Sequence, residues 1–295
     1  MSDGERGRVL ITGTSTGIGR ASALLLDRRG YRVFAGVRRV EDAESLRKEA
    51  SERLVPVMLD ITDARQIAQA RMLVETSVGS EEGLTGLLNC AGIMVAGALE
   101  SLPIDRFRWQ LEVNLIGQVA VTQAFLPLIR QGRGRIINVG SGNGRFAFPF
   151  MGAYAASKFG LEAVTDALRR ELRPWRIPVS IIDPGTVETA IWDSGKAASD
   201  ALHAQLPSTT RQLYDAEFSA MMELMLDKGR GSASPPEALA ELALEVLEAR
   251  RPRARYRRGR GSTMAVVGSY LPERFTDWVV AKVIRKQLPS KVFGW

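Results

Sequence analysis

Tyr154 and Lys158 are four residues apart, a spacing that puts a phenol and an ammonium on one face of a helix, one turn from each other. An unperturbed phenol titrates at about pH 10 and is a poor base at neutrality. A fixed positive charge nearby favours the phenolate, so Lys158 is expected to bring Tyr154 down toward the working range. Tyr154 could then give a proton to an alcohol oxygen or take one from it. On its own the pair reads equally as a surface tyrosine beside a solvated lysine; Ser141 upstream and a glycine-rich turn near the N-terminus change that.

The turn follows Arg8-Val9-Leu10-Ile11-Thr12, a short apolar run suited to a buried parallel strand, and reads Gly13-Thr14-Ser15-Thr16-Gly17-Ile18-Gly19. An amphipathic stretch from Arg20 to Arg29, stopped by Gly30, supplies the helix. Strand, glycine turn and helix form the context of a dinucleotide fingerprint. Gly13 permits the tight turn, Gly17 lets the backbone approach a pyrophosphate, and Gly19 allows close helix packing. The helix N-terminus offers free N–H groups and the positive end of a dipole.

The remaining elements alternate. Strands are expected at Tyr31–Val37, Leu54–Leu59, Leu84–Asn89, Arg135–Val139 and Val179–Ile182. Helices are expected at Glu41–Ser51, Ala64–Thr76, Ile104–Arg130, with Pro127 near its end, and Gly152–Leu172. Regular βα alternation predicts an α/β fold, a Rossmann-like doubly wound parallel sheet in a single domain. The site belongs beyond the carboxyl ends of the strands, where the residues named above fall.

Thr12-Gly13-xxx-Gly17-Ile18-Gly19, Asn89-Cys90-Ala91-Gly92, Asn114, Ser141, Tyr154-xxx-Lys158 and Pro184-Gly185, in this order, resemble the short-chain dehydrogenase/reductase family over residues 8–190. Cys90 stands where that family usually has a second asparagine; a small, readily buried residue is tolerated there. The resemblance implies hydride transfer between a nicotinamide and a carbinol carbon, with the proton handled by Tyr154. It implies that Lys158 also bonds the nicotinamide ribose, that Ser141 orients the substrate oxygen, and that Asn114 holds a water linking Lys158 to solvent. Tyr154 and Lys158 thus count among the cofactor contacts, together with Gly13, Ser15, Thr16, Gly17, Ile18 and Gly19 on the turn. Asp60 and Ile61 are expected to border the adenine. Asn89, Ala91 and Gly92, then Pro184, Gly185, Val187 and Thr189, complete the expected cofactor contacts.

In NAD-preferring relatives an acidic residue near the end of strand two accepts hydrogen bonds from the adenosine ribose. Here Val37 holds that position, followed by Arg38 and Arg39, and a guanidinium fork can clamp a 2′-phosphate. NADP(H) is therefore the expected cofactor, with NAD(H) as the alternative. Ser15 stands where some NADP enzymes of the family carry a basic residue.

The family builds a variable lid after Pro184-Gly185, expected here over 187–231. The lid is rich in apolar residues and methionine (Trp192, Tyr214, Phe218, Met221, Met222, Met225), and Phe146, Phe148 and Phe150 add bulk to the same mouth. A lipophilic ketone or secondary alcohol, such as a steroid or retinoid, fits this lining. The same stripe is also compatible with lid core or a subunit interface. Residues 262–295 extend beyond the usual core and contain an amphipathic helix with a basic face from Glu273 onward, which packs on its own domain, joins subunits or lies on a membrane. Length and texture are loosely similar to the hydroxysteroid and retinol dehydrogenase branch.

Other classes are constrained by composition. The net charge of +7 invites a nucleic-acid reading, and seven of the eleven residues from Arg250 to Arg260 are arginine. That run lacks an aromatic platform beyond Tyr256 and any nucleic-acid motif, so a solvated face or subunit contact is expected and no nucleic-acid partner. With His203 as the only histidine, no metal site is expected. A single cysteine excludes an internal disulfide. A polar Met1–Arg6 start and the lack of an uninterrupted apolar span point to a cytoplasmic enzyme, expected to be a homodimer or homotetramer. The competing readings are a non-catalytic nucleotide-binding scaffold on the same fold and an NAD-dependent dehydrogenase of a polar substrate.

Overall fold

The computed structural model describes residues 5–79, 82–231 and 233–286. Its strands are β1 (Arg8–Thr12), β2 (Arg32–Val37), β3 (Leu54–Met58), β4 (Gly86–Asn89), β5 (Arg135–Val139), β6 (Val179–Pro184) and β7 (Arg255–Arg258). They form one parallel sheet in the order β3-β2-β1-β4-β5-β6-β7. The order reverses between β1 and β4, and a doubly wound sheet opens its ligand crevice at such a switch.

Helices α1 (Gly17–Arg28), α2 (Val40–Glu49) and α9 (Pro236–Glu248) cover one face of the sheet; α3 (Ala64–Val78), α5 (Gly117–Gln131) and α6 (Gly152–Glu171) cover the other. The strands are buried on both sides, which is why they read as unbroken apolar runs. Leu10, Phe34 and Leu87 point into one layer of core, and Val9, Ile11 and Val33 into the other. Helix α4 (Ile104–Leu111) runs through a π-turn at Glu112–Ile116 straight into α5, with Pro127 inside α5, one turn before its end. This continuous helix, Ile104–Gln131, is long and apolar enough to cross a bilayer by length and composition, contrary to expectation, yet half of its apolar stretch is buried in the protein. It is the central core helix of the second face.

The region after β6 folds as α7 (Ile191–Ala204) and α8 (Ser208–Gly231), and the chain ends in α10 (Arg260–Gly268) and α11 (Glu273–Arg285). The arginine-rich run contains the last strand. Because β7 pairs with β6 at the sheet edge, alternate side chains go opposite ways. Tyr256 is buried, Arg255 turns onto Glu162 and Asp166, and Arg257 and Arg258 stay exposed.

Candidate active site

Beyond the carboxyl ends of β1, β4, β5 and β6 lies a cavity of about 730 Å³. Its floor at the β1 end is the glycine turn. Gly13 and Gly17 have φ of +68° and +57°, the left-handed region, which costs a side-chain-bearing residue about 1–2 kcal/mol. A Cβ on Gly13 would sit 2.6 Å from Ala91 Cα, and one on Gly19 would collide with the Gly13 carbonyl. The turn is therefore a bare-backbone cradle. Thr16, the residue before α1, gives no side-chain cap to the helix, so the first-turn N–H groups face the cavity. Thr14 fastens the cradle from below, donating its N–H and its hydroxyl to the Gly36 carbonyl, each at 3.0 Å. Thr12 Oγ1 accepts the Cys90 and Ala91 N–H groups at 3.1 Å. These features fit the pyrophosphate of a dinucleotide. Gly13→Ala should lower stability by about 1–3 kcal/mol and abolish tight cofactor binding. Thermal unfolding together with cofactor titration checks both.

Ser15, Thr16, Gly17, Ile18, Gly19, Arg38, Asp60, Ile61, Ala91 and Gly92 line the cavity, as do Pro184, Gly185, Val187 and Thr189. Two expected cofactor contacts do not. Arg39 sits at the start of α2, where its guanidinium donates to both oxygens of Asp42 at 3.0 and 3.1 Å, so it points along its own helix. Asn89 is fully buried beneath the floor, its amide donating to Thr122 Oγ1 and Asn138 Oδ1. Both are structural here. Arg38 follows the buried end of β2 and has no ion-pair partner among the described residues.

Tyr154 and Lys158 lie on α6, and Ser141 follows β5. The Tyr154 hydroxyl lies close enough to Ser141 for that side chain to favour the phenolate. Lys158 Nζ donates to the Val139 carbonyl at 2.9 Å and stands 5.9 Å from the centre of the Tyr154 ring. Burial reverses the expected electrostatics. It pushes the Tyr154 phenol above its ordinary value, and the Ser141 contact only partly offsets this. Burial likewise pulls the Lys158 ammonium down to about 8, against a smaller opposing pull from Cys90 and Asp183. The helix spacing anticipated the pairing but not the loss of water around it.

Asn114 lines the cavity, and its side chain is bonded to the wall. Its amide nitrogen donates to the Ile93 carbonyl at 3.0 Å and to Ser157 Oγ at 3.3 Å, and its oxygen accepts the Ile93 N–H at 2.8 Å. With both N–H groups committed, the side chain braces the cavity wall. Gln110 and Gln118, one turn to either side, do the same: Gln110 bonds Val95 and Ile93, and Gln118 bonds the Ala91 carbonyl. This amide ladder holds the 91–95 segment. Its sequence signal, amides at four-residue spacing in an apolar helix, is weak, and only Asn114 was singled out.

At the other end the lining is apolar: Phe146, Phe148, Trp192, Met221, Leu224 and Met225, with Trp192 fixed by its indole N–H to the Val187 carbonyl. The C-terminal helices roof it through Met264, Val267, Leu271, Phe275, Val279 and Val283. Helix α11 borders the cavity, while its Phe275, Trp278 and Val279 remain exposed. His203 stacks on Phe218 and pairs with Asp215, joining α7 to α8 away from the cavity. No cluster of metal-ligating side chains occurs among the described residues.

Residues 7–200 match the short chain dehydrogenase family model. The chain belongs to this family. It is 39% identical to retinol dehydrogenase 5 of Homo sapiens, covering 94% of this chain and 89% of that one. It is 38% identical to 17-beta-hydroxysteroid dehydrogenase type 6 of Bos taurus, over 93% and 87% of the two chains. A short-chain dehydrogenase from Streptomyces avermitilis superposes with a TM-score of 0.75 at 26% identity, over 95% of each chain. One from Burkholderia cenocepacia, solved in complex with NADP, gives 0.70 at 25% identity, over 95% of this chain and 98% of that one. This short-chain dehydrogenase is an NAD(P)-dependent oxidoreductase acting on CH–OH donors.

Proposed function

We propose that this short-chain dehydrogenase interconverts a secondary alcohol and a ketone on a lipophilic substrate of steroid or retinoid type, with NADP(H) as preferred cofactor. The observation that carries the reading is the cavity itself: a phosphate cradle with a free arginine at one end and an aromatic and methionine-rich chamber at the other, with Tyr154 between them. The steroid and retinol dehydrogenases among its relatives support the substrate class.

The nicotinamide supplies or accepts the hydride when bound. The chain's own residues manage the oxygen and its proton. In reduction, negative charge builds on the carbonyl oxygen, and Ser141 and Tyr154 are the hydroxyl donors placed to receive it. Tyr154 gives its proton, completing the alcohol; in oxidation it takes that proton back. Buried and raised above its ordinary value, the Tyr154 phenol is protonated at neutral pH, the state reduction requires. Lys158, bonded to Val139, lies beside the ring and offsets the phenolate that remains once the proton has left. Arg38, at the mouth, meets a 2′-phosphate. Phe146, Phe148, Trp192 and the α11 side chains exclude water and hold the apolar body.

The test is NADPH- and NADH-dependent turnover across steroid, retinoid, aliphatic and sugar carbonyls. Reduction of a steroid or retinoid carbonyl with NADPH at least about tenfold more efficiently than with NADH is the expected result. Preferential turnover of sugars would overturn the substrate class. Cofactor binding with no turnover on any carbonyl would favour the scaffold reading.

A further inference from the structure

The catalytic face of α6 continues past Lys158. Tyr154, Lys158 and Glu162 follow at one-turn intervals, and Glu162 meets Asp183 at the end of β6, immediately before Pro184-Gly185. Both carboxyls are buried, at 5% and 1% exposure. Glu162 Oε2 accepts Arg145 Nη2 at 3.0 Å, and Arg255 Nε and Nη2 at 3.0 and 2.8 Å. Glu162 Oε1 and both Asp183 oxygens are buried with no N–H or O–H donor among the described residues. Glu162 faces Asp183 closely enough to disfavour a second negative charge there. Ionised carboxylates are acceptors only, so two facing buried carboxyls without a donor are best satisfied by a proton on one of them.

The pair lies against the loop after β5 that carries Ser141 and against the Lys158 turn of α6. Gly140, the residue before Ser141, lies against Asp183 Oδ1 so closely that a Cβ would collide with it. A Cβ on Gly144 would lie 3.2 Å from Glu162 Cγ and 3.1 Å from the Lys158 carbonyl. Lys158 itself holds Val139, next to Gly140. Charged groups face the pair from the loop after β5 (Arg145), from α6 (Lys158, Asp166) and from β7 (Arg255, Arg257).

We propose that Asp183 and Glu162 hold a single proton between them, and that this acid–carboxylate pair positions the Ser141 segment and Lys158 for proton transfer. Burial first, then the facing Glu162, push the Asp183 carboxyl up to about 7, with Arg257 and Arg145 opposing. Losing the proton sets two buried carboxylates against each other. Their separation displaces Gly140, next to Ser141, and Pro184, next to Asp183. The pair is a positioning element; Tyr154 remains the acid.

An ordinary aspartate is ionised above about pH 5. The wild type should therefore show a protonated-carboxyl infrared band that persists to about pH 6 and titrates near neutrality, absent in Asp183→Asn. Linkage gives a second readout. A raised native pKa means that the folded state keeps a proton the unfolded chain releases above 3.8, so stability is lost as pH rises from there to about 7. The wild-type Tm should fall relative to Asp183→Asn across that window and run parallel above it.

The kinetic test rests on the ketone–alcohol reading; the infrared and thermal tests do not. With NADPH and a steroid or retinoid carbonyl that the wild type reduces, kcat should decline through the titration of the pair. Asp183→Asn and Glu162→Gln should remove that limb and retain most of the activity, whereas Asp183→Ala should lower kcat about tenfold with KM little changed. Absence of the band in wild type at about pH 6 overturns the shared proton, whatever the variants do. Superimposable pH profiles for wild type and both amide variants, or a full kcat in Asp183→Ala, overturn the positioning role.

Discussion

Tyr154→Phe is expected to lower kcat for ketone reduction by about 10²–10⁴-fold, the range general acid catalysis supplies, or about 3–5 kcal/mol of transition-state stabilisation. Only the hydroxyl is removed. The ring stays among Phe148, Phe150 and the other apolar side chains it packs against, and what is lost is the contact of the hydroxyl with Ser141. Thermal stability should therefore change by no more than about 1 kcal/mol, and cofactor affinity should be nearly unchanged. The pH dependence gives a second signature. Reduction needs the protonated phenol and oxidation the phenolate. Because burial raises the Tyr154 pKa, the tyrosine-linked fall in the reductive rate should come only at alkaline pH, above the limb set by Asp183 and Glu162, while the oxidative rate climbs as pH rises. In Tyr154→Phe both tyrosine-linked limbs should vanish. Turnover within tenfold of wild type would remove Tyr154 from its proposed role. Steady-state kinetics in both directions, with a Tm for each protein, decide it.

Arg38→Ala is expected to weaken NADPH binding about 10–100-fold, since a charge-assisted hydrogen bond contributes about 1.5–3 kcal/mol. NADH binding should change less than about threefold, because only the 2′-phosphate distinguishes the two. Arg38 lines the cavity beyond β2 and has no ion-pair partner among the described residues to lose on substitution. Arg39→Ala is the matched control: its guanidinium is held by Asp42 and turned away, so it should leave the NADPH-to-NADH ratio almost unaltered. Raising the salt concentration should narrow the preference of the wild type, as expected for an exposed charge meeting a phosphate. Equal losses for both cofactors in Arg38→Ala would end the 2′-phosphate assignment.

The sequence by itself determined six of the seven strands and the glycine cradle, and named the side chains proposed to react. Each is a local signal: a buried parallel strand is an apolar run, a left-handed turn needs glycine, and a four-residue spacing aligns two side chains on a helix. Strands β1 and β5 were legible to the residue, and most other boundaries moved by a few positions where capping or edge pairing intervened, as at Pro184, which β7 draws into the sheet.

What only the tertiary structure decided is what surrounds each side chain. Arg38 and Arg39 are chemically alike and adjacent; the start of α2 turns one onto Asp42 and leaves the other in the cavity. The motif marks Asn114 but not the amide ladder that consumes its hydrogen bonds. Tyr154 and Lys158 are aligned by their spacing, yet their pKa values move opposite to what pairing alone suggests, because desolvation depends on everything packed around them. Glu162 and Asp183 lie far apart in sequence, on a helix and a strand end that meet only in the folded core. Local pattern fixes which groups point the same way; burial, partner choice and charge balance are sums over the whole fold.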